Sequence, residues 1–132
     1  MFFNAWGSLP LITGGQSRAI NGENPRGEKG KGGMAASDLG PSRKGHPCWN
    51  DLQPGETAVL AEIEGPGVIQ HMWFTVTDKT SDADCFVLRD LVLRIYWDGE
   101  RKPSVEVPFG DFFCCGFGQA CQVNSLPIAV NP

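Results

Sequence analysis

Leu91, Leu93, Ile95 and Trp97 alternate with Val92, Arg94 and Tyr96, a period of two that predicts an extended strand with one greasy face rather than a helical stripe. Asp98-Gly99 follows at once, and both residues tolerate the positive φ of the turns that match strand twist; Pro103 argues for a connection longer than two residues. Ser104 to Pro108 is the antiparallel return. Where it stops, Gly110-Asp111-Phe112-Phe113 sets one carboxylate between a glycine and two rings, which the spacing places in a loop at a strand exit. Upstream, Thr57–Glu64 alternates with Val59, Ala61 and Ile63 on one side. After Gly65-Pro66-Gly67, Val68–Val76 alternates with apolar residues on both faces, as in a strand covered on both sides. Cys85–Leu88 and Leu126–Val130 are shorter strand candidates, and Asp78 to Asp84 is a polar loop.

Glycine and proline punctuate the chain so often, at 17 and 10 residues, that no helical period survives beyond a couple of turns. The fold class expected is therefore all-β, an antiparallel jelly roll or β-sandwich. Gly14 to Pro54 is poor in apolar residues and reads as long surface loops, so residues 1–54 form a loop-rich segment of the same domain and residues 55–132 the β-sandwich proper. A jelly roll closes its core with about eight strands. The strands counted here fall short of that, so the sandwich is expected to be incomplete, with Trp73, Tyr96 and Trp97 facing absent partners and the chain oligomeric or partly ordered.

A net charge of -4 and a pI near 5.0 provide no basic field for phosphate backbones, which excludes nucleic acid as the expected partner. Met1 to Gly7 lacks the basic start and long apolar middle of a secretory leader, and no apolar run is long enough for a bilayer, so no membrane association is expected. Five cysteines, two of them adjacent at Cys114-Cys115, fit free thiols in a reducing compartment, hence a cytoplasmic location. Gly27-Glu-Lys-Gly-Lys-Gly-Gly33 lacks the glycine spacing of a phosphate loop. His46 and Cys48, with Cys114, Cys115 and Cys121, contain no Cys-x-x-Cys pair, so neither a metal nor a cofactor is expected. His71, in mid-strand among apolar residues, reads as structural.

Acid beside aromatics suits sugar binding. Asp111 and Phe112 are candidate sugar contacts, Asp111 standing equally well as a turn cap. Arg18, Glu23 and Asn24 form a polar set on one loop, able to bond hydroxyls or simply to face solvent.

These pieces have a shared order. Ser17-Arg18 through Glu23-Asn24-Pro25-x-Gly27, Leu60-x-x-Ile63-Glu-Gly-Pro-Gly67, His71-Met-Trp73, Leu93-Arg-Ile-Tyr-Trp-Asp-Gly-Glu100, Pro103-Ser-Val-Glu-Val-Pro108 and Gly110-Asp-Phe-Phe113 together resemble the bacterial glycoside hydrolase family 172, from about Gly15 onward. The resemblance implies two jelly rolls, trimer-based homo-oligomers, and retaining hydrolysis of α-linked fructofuranosides or arabinofuranosides. Retention needs two carboxyl groups roughly 5 to 5.5 Å apart. In the family both are glutamates of the second jelly roll, so the resemblance transfers no catalytic residue to these positions and implies an N-terminal portion inactive by itself. Two departures from the family pattern stand out: Cys114-Cys115, where a small residue, commonly glycine, is usual, and Phe117, where histidine is frequent. The rival expectation is a non-catalytic carbohydrate-binding β-sandwich that stacks sugars on Trp49, Trp73 or Trp97.

Overall fold

The computed structural model describes residues 14–34, 36, 40, 52–77, 86–125 and 128–131. The expectations for Met1 to Gly7, His46, Cys48, Trp49, the 78–84 loop, Cys85 and Leu126 fall outside them. The chain divides into two units, Met1–Gln70 and His71–Pro132.

Among the described residues, the regular elements lie in the second unit, in the order α1 (Val87–Asp90), β1 (Val92–Ile95), β2 (Val105–Pro108), α2 (Phe109–Phe112), β3 (Val123–Asn124) and β4 (Ala129–Val130). Strands β1 and β2 are the hairpin expected from the alternation. They pair antiparallel in the register Val92↔Pro108, Leu93↔Val107, Arg94↔Glu106 and Ile95↔Val105. Leu93 is buried and Ile95, Val105 and Val107 are half-buried, while Val92, Arg94 and Glu106 face solvent, so the period of two separates the faces as it should. At the hairpin tip Asp98 (φ 49°) and Gly99 (φ 72°) both take the left-handed conformation, and the Glu100 amide donates to the Trp97 carbonyl at 2.9 Å. The chain then runs through Pro103 to Ser104, whose amide closes on the Ile95 carbonyl at 2.8 Å, so the connection is longer than the minimal turn. On the solvent face, Arg94 Nε meets Glu106 Oε2 at 2.7 Å across the strands.

Residues 86–90 and 110–112 depart from the expectation. Residues 86–90 form a helical turn rather than a strand: the amides of Arg89 and Asp90 both return to the Phe86 carbonyl, and that of Leu91 to Val87. An apolar run as short as Phe86-Val87-Leu88 has no period with which to choose. Likewise Gly110, Asp111 and Phe112 are not loop. Pro108, which lacks an N–H, ends the ladder, and the chain folds directly into the single turn α2. That turn closes with two reverse bonds, Cys114 N–H to the Asp111 carbonyl at 3.0 Å and Cys115 N–H to the Gly110 carbonyl at 2.7 Å. The pattern requires a left-handed residue at the position Cys114 occupies, and its φ is 61°. Glycine takes that conformation without strain, which gives a physical reason for preferring it there. Cys114→Gly is therefore expected to stabilise the α2 turn by about 0.5–1 kcal/mol, visible as slower hydrogen exchange at the Cys115 amide.

Between these turns and the hairpin lies the small core. Helical turns α1 and α2 pack on each other and on β1 and β2, enclosing Leu93 and Cys115. Phe74, Phe109 and Phe113 form a ring cluster with centroids 5.2 to 5.8 Å apart, extended by Phe112 at 5.2 Å from Phe113. Val123–Asn124 and Ala129–Val130 make a second small antiparallel pair with Val130 buried.

The segments 57–64 and 68–76, expected as strands, join no ladder with described residues, and Val59, Ile63, Val68 and Trp73 are exposed. Alternation names the two faces of a ribbon but not its neighbour. The described residues thus form a small β-rich structure with two short antiparallel pairs and two single helical turns.

In the first unit, the loop of residues 21–28 is organised by asparagines. Asn21 Oδ1 accepts from the Glu23 amide at 3.1 Å, and the buried Asn24 side chain bonds both the N–H and the carbonyl of Glu28, at 2.9 and 3.0 Å. Gly27, at φ 62°, lies under the Arg18 and Ile20 side chains, where a Cβ would approach within 3.2 Å of both. Residues 57–64 attach to this loop through the Glu62 amide, 2.8 Å from the Pro25 carbonyl, and the Arg26–Glu62 ion pair at 3.0 Å.

Candidate functional site

The sequence-predicted site residues fall into two groups, one in each unit.

In the second unit, α2 carries Asp111 and Phe112 on consecutive positions. The Arg89 guanidinium, on α1, donates through Nη1 to Asp111 Oδ1 and reaches the Gly116 carbonyl at 3.4 Å. Two helical turns too short to persist alone are thereby pinned together by a charge pair that leaves both side chains partly open to solvent. The second carboxylate oxygen, Oδ2, has no hydrogen-bond partner among the described residues. Asp111 therefore joins a held orientation to a spare acceptor. Phe112 is half-buried, with its ring edge-on to Phe113. Gly110 is what lets α2 approach α1 so closely: a Cβ there would lie 3.0 Å from Leu88 Cβ and 3.1 Å from the Leu88 and Cys115 carbonyl oxygens.

In the first unit, Glu23, Asn24, Pro25, Arg26, Glu28 and Lys31 line an open depression of about 410 Å³. Glu23 Oε2 accepts from the Met34 amide at 3.0 Å. The Asn24 amide is committed on both its oxygen and its nitrogen to Glu28, so it shapes this loop from inside. Arg18 does not line the depression; its guanidinium donates to the Gln16 side chain, and its stem covers Gly27.

The ion pairs leave a mark on the bases. Hydrogen bonding and charge from Glu62 hold the Arg26 guanidinium above its ordinary pKa, and Glu106 does the same for Arg94. A base whose pKa is raised on folding contributes stability that is complete below its ordinary value and lost only above the folded one, so neither arginine introduces a pH dependence near neutrality. Both pairs are solvent-screened.

Arg89 is the residue that sequence reasoning missed. Nothing in a run of Leu-Arg-Asp marks it as the partner of an aspartate 22 positions downstream. Among the described residues, no group of three or more His, Cys, Asp or Glu gathers in a way that would hold a metal ion, and Cys114, Cys115 and Cys121 are free thiols. No helix among the described residues is long and apolar enough to cross a membrane.

Neither curated proteins nor solved structures yield a match to this chain. A family model does match: the one described as GH172 domain-like covers residues 48–131, which include the hairpin, both helical turns, Arg89 and Asp111. That span is well over half of the sequence, and its family is one of glycoside hydrolases. The chain belongs to the GH172 domain-like family.

Proposed function

We propose that the chain is a jelly-roll portion of a retaining hydrolase of α-linked fructofuranosides or arabinofuranosides, and that it contributes sugar contacts rather than the catalytic carboxylate pair. Membership in a glycoside hydrolase family supports a carbohydrate substrate. The observation that carries the site is Asp111: one carboxylate oxygen is fixed by Arg89, the other has no partner among the described residues, and the Phe112 ring follows directly. A carboxylate so held accepts from a sugar hydroxyl without first being ordered, so binding loses less side-chain entropy. In the same reading Glu23 and Arg18 are polar contacts of the first unit, and Asn24 acts by holding the loop that presents Glu23. The intact enzyme is a trimer-based homo-oligomer in a reducing cytoplasm, in keeping with the free thiols.

Titration of the chain with methyl fructofuranoside and methyl arabinofuranoside, followed by NMR, tests this. Asp111→Asn removes the charge but keeps the shape, and is expected to weaken binding about fivefold, the loss of roughly 1 kcal/mol in one charge-assisted hydrogen bond. Unchanged affinity would remove Asp111 from the site.

One observation favours the second reading, a non-catalytic sugar-binding module. Trp73 is 73% exposed and Trp97 48% exposed, as a stacking platform requires. On that reading Trp73→Ala abolishes the response, while Asp111→Asn leaves it intact.

A further inference from the structure

Phe117 is 99% exposed. A phenylalanine is among the residues most often buried, and fully burying it is worth roughly 1.5–3 kcal/mol; among the described residues Phe117 is the most exposed of the large apolar side chains, ahead of Trp73. It does not hang on a loose end. The turn Cys115-Gly116-Phe117-Gly118 is closed by the Gly118 amide on the Cys115 carbonyl at 3.0 Å, with Gly118 at φ 68°. Cys115, which starts the turn, is buried and is tied back to Gly110 through its amide and to the Phe113 carbonyl through its thiol at 3.3 Å.

The residue before the ring touches the candidate site. A Cβ on Gly116 would lie 3.5 Å from Asp111 Oδ1, and the Gly116 carbonyl receives the same Arg89 Nη1 that holds Asp111. One guanidinium therefore ties together the carboxylate and the turn that displays the ring.

We infer that Phe117 is the stacking platform of the Asp111 subsite, taking the apolar C–H face of a furanose ring while Asp111 accepts from its hydroxyls and Arg89 fixes the two against each other. A flat apolar surface beside an oriented acceptor matches a sugar, which has an apolar face and a polar edge, better than it matches an anion or an apolar peptide. An anion would meet the Asp111 charge, and an apolar segment would leave that charge desolvated. This assignment rests on the furanoside reading above and adds the residue that selects for ring shape.

The test uses the 132-residue chain, labelled with ¹⁵N, and methyl arabinofuranoside and methyl fructofuranoside as probes. Shifts at the Gly116 and Gly118 amides that saturate with the sugar are expected, with affinity lowered about fivefold by Phe117→Ala and retained by Phe117→Trp. Arg89→Lys, which keeps the charge but loses the fork, is expected to uncouple the Gly116 shift from that of Asp111. Sugar-induced shifts confined to residues 23–34, with Gly116 and Gly118 silent, would overturn the platform and leave the carbohydrate reading standing. No response to either sugar anywhere would overturn both. A Phe117→Ala variant that binds sugar normally but loses concentration-dependent self-association in sedimentation would make the ring a protein contact instead.

Discussion

Gly110→Ala is expected to loosen the α1–α2 junction by about 2 kcal/mol, although simple propensity predicts the opposite sign. Alanine is favoured over glycine inside a helix by about 1 kcal/mol, and it also reduces the entropy of the unfolded chain. Here those gains are outweighed. The added methyl would sit 3.0 Å from Leu88 Cβ and 3.1 Å from two carbonyl oxygens, those of Leu88 and Cys115. A flexible side-chain end would swing aside, but backbone carbonyls move only if α1 and the turn at Cys115 move with them, and overpacking of that kind costs about 1–3 kcal/mol or more. The local reporter is the Cys115 amide, bonded to the Gly110 carbonyl at 2.7 Å. Its hydrogen exchange should speed up by more than tenfold in the variant, a factor that about 1.4 kcal/mol already supplies. Because Cys115 opens the turn that carries Phe117, the same variant should also weaken furanoside binding. A variant with slower exchange at Cys115 would show that the close approach is not rigid, and the arrangement of Arg89 over Asp111 would lose its structural support.

The hairpin and the helical turns show where sequence is legible and where it is not. Leu93 and Ile95 could be placed on one face because a strand turns its side chains over at every residue, and Asp98-Gly99 marks a turn whose φ values few other pairs tolerate. Both signals are local. The α2 turn has no such signal: glycine and aspartate are poor helix formers, Pro108 ends the strand, and four residues are too few for a 3.6-residue period to show. Its geometry comes from contacts with Leu88 and Arg89, about twenty residues away. The same distance hid Arg89 as the partner of Asp111, and the commitment of Asn24 to Glu28 is visible only once the loop closes around it. For residues 57–76 the alternation is real, yet the ladder that would make it a strand pair depends on a neighbour the pattern cannot name. Phe117 fails in the opposite direction. By type it belongs in a core, and only the folded turn shows that glycines on either side hold it outside.

Leu93→Ala should have the larger effect on the hairpin, a loss of about 2–3 kcal/mol. Leu93 is 6% exposed and lies opposite Val107 on the inner face, below the α1 and α2 turns that carry Arg89 and Asp111. Removing a buried leucine side chain to the β-carbon costs about 2–5 kcal/mol, depending on how far the surroundings collapse into the space. The lower half of that range applies because Val105, Val107 and Ile95 are only half-buried and are able to close in. Val92→Ala, one residue away on the exposed face, is the matched control and should change stability by less than about 0.5 kcal/mol. Both are read at the amides that lock the two ends of the hairpin, Ser104 on the Ile95 carbonyl and Phe109 on the Leu91 carbonyl, each at 2.8 Å. Leu93→Ala should accelerate exchange at both by about thirtyfold or more, with Val92→Ala near the parent chain. A one-residue slip in register would reverse the two outcomes, since it turns every inward side chain out. Equal or inverted effects would therefore refute the hairpin register, and with it the placement of Asp111 in the α2 turn after β2, on which the sugar site depends.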